Sequence, residues 1–247
     1  QLGVEDERGI FGGCVEHAHA ATKAISHPLW NAAAEAPEGW PHEMTHAVRD
    51  VVLPGFTAFN AEDALAAGRS LLGDGDVRLK FVRARGGGGQ VEIASLEALE
   101  TALREVGATT VGDGVVLERN LVDVETLSVG EARLDGRVLS YTGTQTTTSN
   151  ARGESVFGGS HLRMVRGPLS RFAGADLSER ERTAVVKARA FDAQAMRLPG
   201  FCASRRNYDV AFGTDASGAE VSGVLEQSWR IGGASGAELA AFEAFRR

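Results

Sequence analysis

The spacing of apolar positions changes several times along this chain, and each change marks an element. Residues 51–59 are an apolar run that predicts a strand, and Asn60 stands where a side-chain oxygen caps a helix over 61–72. A turn at 74–76 leads into a short strand over 77–82, followed by Gly86, Gly87, Gly88 and Gly89. Ser95 caps a second helix running through 106, and 115–118 is another short strand. The β-rich runs 127–131 and 138–142 are joined through Asp135-Gly136, a dipeptide suited to a tight hairpin turn. The Thr-, Ser-, Asn- and Gly-rich stretch 144–160 reads as a mobile loop or as an ordinary surface connection. Ser178 begins a long helix to about 196, ended by Pro199-Gly200. Before residue 50 the pattern is weak: 22–25 begins a short helix, and Pro37, Gly39 and Pro41 mark a loop. Mixed strands and helices with several antiparallel hairpins predict an α+β fold.

The last hairpin carries chemistry. Asp209 and Glu226 flank a turn at 215–218, and their midpoint falls between Ser217 and Gly218, so the two carboxylates are expected to be neighbours. Strand alternation puts Arg205 and Asn207 on the face of Asp209, and Ser228 and Arg230 on the face of Glu226. Hard oxygens beside guanidinium groups suit magnesium and phosphate. Upstream, Lys80 precedes the four glycines, bringing an ammonium together with backbone N–H groups that an anion can approach closely. A glycine run alone is equally a flexible turn.

Composition narrows the class. A chain of 247 residues can bury a full core, and the net charge of −7 with no basic run argues against nucleic acid as partner. No apolar run approaches the roughly 20 residues that span a bilayer, so no membrane partner is expected. Only two cysteines occur, Cys14 and Cys202, without metal-ligand spacing; they read as small buried side chains in a reduced, cytoplasmic protein.

The order of a lysine strand, a glycine loop, Glu118 at a strand end, Glu125, and then Asp209 and Glu226-x-x-x-Arg230 on a hairpin resembles the ATP-grasp superfamily over roughly residues 23–238. The chain also looks similar to an uncharacterised bacterial family of ATP-grasp-like proteins, notably over 50–59 and 226–238. The resemblance implies an ATP-grasp fold of two α+β subdomains clamping a nucleotide, with 1–50 a segment remaining from a preceding domain, 51–117 the lid subdomain and 118–247 the subdomain with the metal site. It assigns Lys23 and Lys80 to the phosphates, Gly86 to Gly89 to the lid, Glu118 to the adenine hinge and Glu125 to the ribose hydroxyls. Asp209, Glu226 and Ser228 take the magnesium positions, and Arg205 (or Arg206) and Arg230 face the transferred phosphoryl. The implied activity uses ATP and Mg2+ to turn a small-molecule carboxylate into an acyl phosphate that an amine or other nucleophile attacks. Ser228 stands where the family carries Asn, a better hard-oxygen ligand, which leaves a non-catalytic ATP-binding module as the alternative.

A competing motif is His42-Glu43-Met44-Thr45-His46, which fits the H-E-x-x-H pattern of zinc hydrolases, with Glu62 or Asp63 as candidate third ligand. Pro41 directly before it means the motif would begin its helix instead of lying within one.

Overall fold

A computed structural model describes residues 6–84, 89–149 and 155–246. In chain order the strands and α-helices are β1 (Gly13–Cys14), α1 (His42–Ala47), β2 (Gly55–Ala58), α2 (Ala61–Leu71), β3 (Val77–Phe81), β4 (Gln90–Ile93), α3 (Leu96–Gly112), β5 (Val115–Arg119), β6 (Val122–Leu134), β7 (Arg137–Ser149), β8 (Ser155–Arg166), α4 (Glu179–Ala195), β9 (Cys202–Ala203), β10 (Arg205–Thr214), β11 (Glu220–Ser228) and α5 (Ser235–Ala244). The fold is α+β with antiparallel pairing throughout the named ladders. The chain divides into two compact units: unit 1 holds Gln1–Glu16, Thr126–Ala211 and Glu226–Arg247, and unit 2 holds His17–Glu125 and Phe212–Leu225. Among the described residues no helix is long and apolar enough to cross a membrane.

Unit 2 contains a four-stranded sheet in the order β2-β5-β3-β4. Its core is an aliphatic layer in which Val77, Leu79, Val115 and Leu117 from the sheet meet Ala64, Ala67, Leu99 and Leu103 from α2 and α3. Both helices start on the expected caps: Asn60 Oδ1 accepts from Asp63 N at 2.7 Å, and Ser95 Oγ accepts from Ala98 N at 3.2 Å. Helix α3 continues beyond 106 through a kink at Gly107, whose φ of 80° falls in the region that glycine tolerates. The expected strand over 51–59 shrinks to Gly55–Ala58, because Val51 and Val52 pair instead with Val224, through a parallel bridge and a Val224 N to Val51 O bond of 2.8 Å. The helix expected at 22–25 is a short 3-10 turn, Lys23–Ser26, capped by the Thr22 hydroxyl.

Unit 1 contains β7, β8 and most of β6 and β10, adjacent in the order β10-β6-β7-β8. The β6–β7 hairpin turns at Asp135 and Gly136 with φ of 50° and 71°, as the sequence predicts, but its strands extend well beyond the expected runs. The stretch read as a loop from 144 is largely strand: β7 continues to Ser149 and β8 begins at Ser155, with a bulge between Thr146 and Thr147. Ala132, Leu139 and Tyr141 pack against Ala234 and Phe242. Helix α4 starts in a full capping box formed by Ser178 and Glu181. In unit 2, the 215–218 turn lies where expected, closed by Asp215 N to Ala219 O at 3.0 Å, with Gly218 at φ 82°.

Candidate functional site

In unit 2, β3 and β5 are register partners, with Lys80 opposite Val116 and Arg78 opposite Glu118. Diagonal offset brings the Lys80 ammonium onto the Glu118 Oε1 oxygen in a close ion pair, with only 4% and 2% of the two residues exposed. His27, missed from the sequence, completes this buried cluster: its Nε2 lies 3.7 Å from Glu118 Oε2 and 3.0 Å from the Leu53 carbonyl oxygen. A carbonyl only accepts, so Nε2 carries the proton and the ring is neutral, with Nδ1 left without a hydrogen-bond partner. Burial pushes the His27 pKa down to about 4, with Lys80 adding to the fall and Glu118 opposing it. Glycine at 55 is required, since a Cβ there would lie 2.7 Å from the His27 ring and 2.5 Å from the Leu117 carbonyl oxygen. The pattern that betrays His27 is therefore a glycine in a neighbouring strand, which no motif search reads.

Lys23 is buried in its 3-10 turn, beside Ser26, whose hydroxyl donates to the Lys23 carbonyl at 2.6 Å. Glu125 lies exposed on β6. Gly86, Gly87 and Gly88 lie outside the described residues. Gly89 has φ 64°, and a Cβ there would approach Ala84 Cβ to 2.4 Å; its carbonyl accepts from Phe81 N at 3.0 Å, closing the β3–β4 connection.

Unit 1 gathers the hairpin residues. Asp209 Oδ1 accepts from Ser128 Oγ at 2.7 Å, Asn207 Nδ2 at 3.1 Å and Gln145 Nε2 at 3.3 Å. Burial, and next the negative charge of Glu226, push the Asp209 pKa up despite those donors. Two carboxylates that repel one another, with the Ser128 hydroxyl oxygen alongside, are a place that a divalent cation would relieve, whereas Asn207 turns its amide nitrogen to Asp209 and its Oδ1 accepts from the Tyr141 hydroxyl at 2.8 Å. Ser128 was not singled out by sequence because its role depends on β6 lying beside β10.

Arg205 is 1% exposed and fully engaged in the fold: Nε donates to Glu238 Oε2 at 2.7 Å, and Nη1 to the carbonyls of Ser228 at 3.1 Å and Arg230 at 2.6 Å. Arg206 points elsewhere, donating to Asp192 at 2.7 Å and Glu131 at 2.8 Å. Arg230 is exposed, and its Nη1 and the Ser228 hydroxyl both border Gly232, within 3.6 and 3.9 Å of where a Cβ would stand. The hairpin thus brings Asp209, Glu226 and Asn207 to one place, and Ser228 and Arg230 to Gly232.

The H-E-x-x-H motif forms α1, a helix of 6 residues that starts directly after Pro41, with Glu43 and His46 exposed. Among the described residues no three His, Cys, Asp or Glu side chains converge as for a metal ion, so neither Glu62 nor Asp63 completes a zinc triad. The zinc reading fails on its third ligand. Asp63 is otherwise occupied, with Oδ2 accepting from Asn60 Nδ2 and Glu35 N.

No curated protein matches the chain in sequence. Among solved structures it is similar to D-alanyl-alanine synthetase A from Vibrio cholerae, at 14% identity and TM-score 0.46, covering 74% of this chain and 52% of that one. It is also similar to the D-cycloserine synthetase DcsG, at 18% identity and TM-score 0.46, covering 76% and 60%. A third likeness is to the biotin carboxylase domain of a 2-oxoglutarate carboxylase from Hydrogenobacter thermophilus, solved with MgADP, ADP and bicarbonate, at 17% identity and TM-score 0.48, covering 77% and 38%. The chain spans about half the length of the first of these structures. The family described as "Protein of unknown function (DUF3182)" matches residues 1–247, and the chain belongs to that family.

Proposed function

We propose that the protein is an ATP- and magnesium-dependent ligase of the ATP-grasp type, which activates a small-molecule carboxylate as an acyl phosphate for attack by an amine or another nucleophile. The observation that carries the reading is the Asp209–Glu226 pair, two mutually repelling carboxylates flanked by Ser128 and Asn207, on a chain that also holds a strand lysine against a buried glutamate. In this reading Lys23, Lys80, Gly86 to Gly89, Glu118 and Glu125 serve the nucleotide, and Asp209, Glu226 and Ser228 would hold magnesium. The bound cation supplies charge neutralisation of the crowded phosphate oxygens.

The residues have distinct tasks. His27, held neutral, backs Glu118 so that its other oxygen stays on the Lys80 ammonium. Arg205 acts as a positioning residue, tying the carbonyls of Ser228 and Arg230 to Glu238, which leaves the exposed Arg230 as the cation for the transferred phosphoryl. No protein nucleophile is needed, since alignment and charge stabilisation carry phosphoryl transfer.

Product-resolved ATP turnover with magnesium, across a panel of carboxylates and amines, tests this reading. ADP released only when a carboxylate is present supports it. ATP bound without ADP formation by any acceptor supports instead the non-catalytic module, which Ser228 at the asparagine position favours.

A further inference from the structure

The two thiols of the chain sit opposite each other. Cys14 on β1 and Cys202 on β9 are register partners in a two-stranded antiparallel ladder, both free and both partly exposed. Facing residues of such a pair send their side chains to the same side. Ser204 N donates to Gly12 O at 2.8 Å while Gly12 N turns to the Ser204 hydroxyl at 3.1 Å, so Gly12–Ser204 stands at a hydrogen-bonding position of the ladder and Cys14–Cys202, two residues along, at the next. Pairs of that type hold their Cα atoms ~5.5 Å apart, inside the roughly 4.4–6.8 Å that a disulfide spans, and their Cβ atoms, about 5.5 Å apart, close to a disulfide's roughly 3.5–4.5 Å by a small inward shift of two strands that are only two residues long. The intervening Gly13–Ala203 pair fixes the register: a Cβ on Gly13 would fall 2.9 Å from Trp229 Cβ and 3.2 Å from Ala203 Cβ, so β1 lies tight against both.

We propose that Cys14 and Cys202 are a site of reversible oxidation, closing to an intramolecular cross-strand disulfide in the presence of a small neutral disulfide oxidant. The Cys14 thiolate attacks one sulfur of the oxidant, breaking its S–S bond and releasing one thiolate that takes up a proton. The Cys202 thiolate then attacks the Cys14 sulfur of the mixed disulfide, forming the protein S–S bond and releasing the second half of the oxidant as a thiol. Two protein thiols lose two electrons and two protons, and one oxidant molecule becomes two thiols. Cys202 is assigned the second step because burial pushes its thiol up, with Cys14, Glu7 and Asp6 adding to the rise. The same acidic neighbours disfavour an anionic oxidant, which is why a neutral one is named. This pair is independent of the nucleotide chemistry, so either can stand if the other falls.

The test treats the whole reduced chain with 2-hydroxyethyl disulfide under native conditions, then counts thiols with a maleimide after unfolding and maps peptides by mass spectrometry. The expected result is joint loss of both thiols, an intact mass lower by two hydrogens, a linked peptide pair containing Cys14 and Cys202, and full reversal by dithiothreitol. In Cys202→Ser the remaining thiol instead keeps the hydroxyethylthio adduct. Stable single adducts on the unsubstituted chain, linkage only between molecules, or two thiols that stay unreacted would each overturn the proposal.

Discussion

At the scale of single residues, the cluster of His27, Lys80 and Glu118 couples folding to the proposed binding. Removing one member of a buried ion pair strands the other charge and costs about 3–5 kcal/mol, whereas replacing both by neutral groups of similar size is close to neutral. Lys80→Met is therefore expected to destabilise the protein by that amount, and Lys80→Met with Glu118→Gln to regain most of it while nucleotide affinity stays lost. Denaturant unfolding read beside ATP titration separates the two; recovery of affinity in the double variant would remove Lys80 from the site. His27 adds a pH signature. The unfolded chain protonates this imidazole near its ordinary 6.5, but the fold holds it down to about 4. The unfolded state thus binds the extra proton, and His27's contribution, complete above 6.5, is lost as pH falls toward 4. The loss is roughly 3 kcal/mol at 1.36 kcal/mol per unit. His27→Gln, which keeps a donor for the Leu53 carbonyl, is expected to flatten the stability curve between those pH values, measured by urea unfolding against the unsubstituted chain.

At the scale of elements, the caps are the most predictable features. The Ser178 capping box starts α4, and Ser178→Ala is expected to cost about 1 kcal/mol, read as a lower urea midpoint with an unchanged slope. The starts of α2 and α3, the 135–136 hairpin turn and the 215–218 turn were legible for the same reason: each is written in a local side-chain-to-backbone bond or a glycine torsion. Long-range pairing was not. The 144–160 stretch looks like loop because Thr, Ser, Asn and Gly dominate its sequence, and only the mutual register of β7 and β8 makes it strand. Residues 51–53 read as part of a strand, although their partner is Val224, far away in sequence. Among the site residues, Lys80 and Glu118 were expected to serve one ligand, and the structure brings them together as an ion pair. Arg205 was expected to face a phosphoryl group, but nothing in the sequence discloses Glu238 and the carbonyls that enclose it. Nor does strand alternation reveal that Cys14 faces Cys202, because β1 and β9 contain two residues each, too few to show a period.

At the scale of the whole molecule, the carboxylate pair predicts how stability responds to ligands. Asp209 has its pKa raised, so ionising it at neutral pH works against the fold, and a divalent cation offsets that cost. Magnesium with a non-hydrolysable ATP analogue is expected to raise the melting temperature, through a stabilisation of RT ln(1 + [L]/Kd), or ~2.7 kcal/mol at a hundredfold excess over Kd. Asp209→Asn is expected to remove the magnesium-dependent part while leaving the nucleotide-dependent part. Equal shifts with and without magnesium in the unsubstituted protein would detach Asp209 and Glu226 from any metal role.

Unit 2 takes its last segment, Phe212–Leu225, from a part of the chain that follows two of the three segments of unit 1. Val224 reaches back to Val51, and Gly223 sits where any side chain would meet the Leu53 backbone nitrogen at 2.4 Å. During synthesis, residues 17–125 therefore leave the ribosome with their docking strand still untranslated. Nascent chains halted before the codon for Phe212 are expected to be far more susceptible to protease than chains extended past Arg247, so that unit 2 matures only after most of unit 1 has been made.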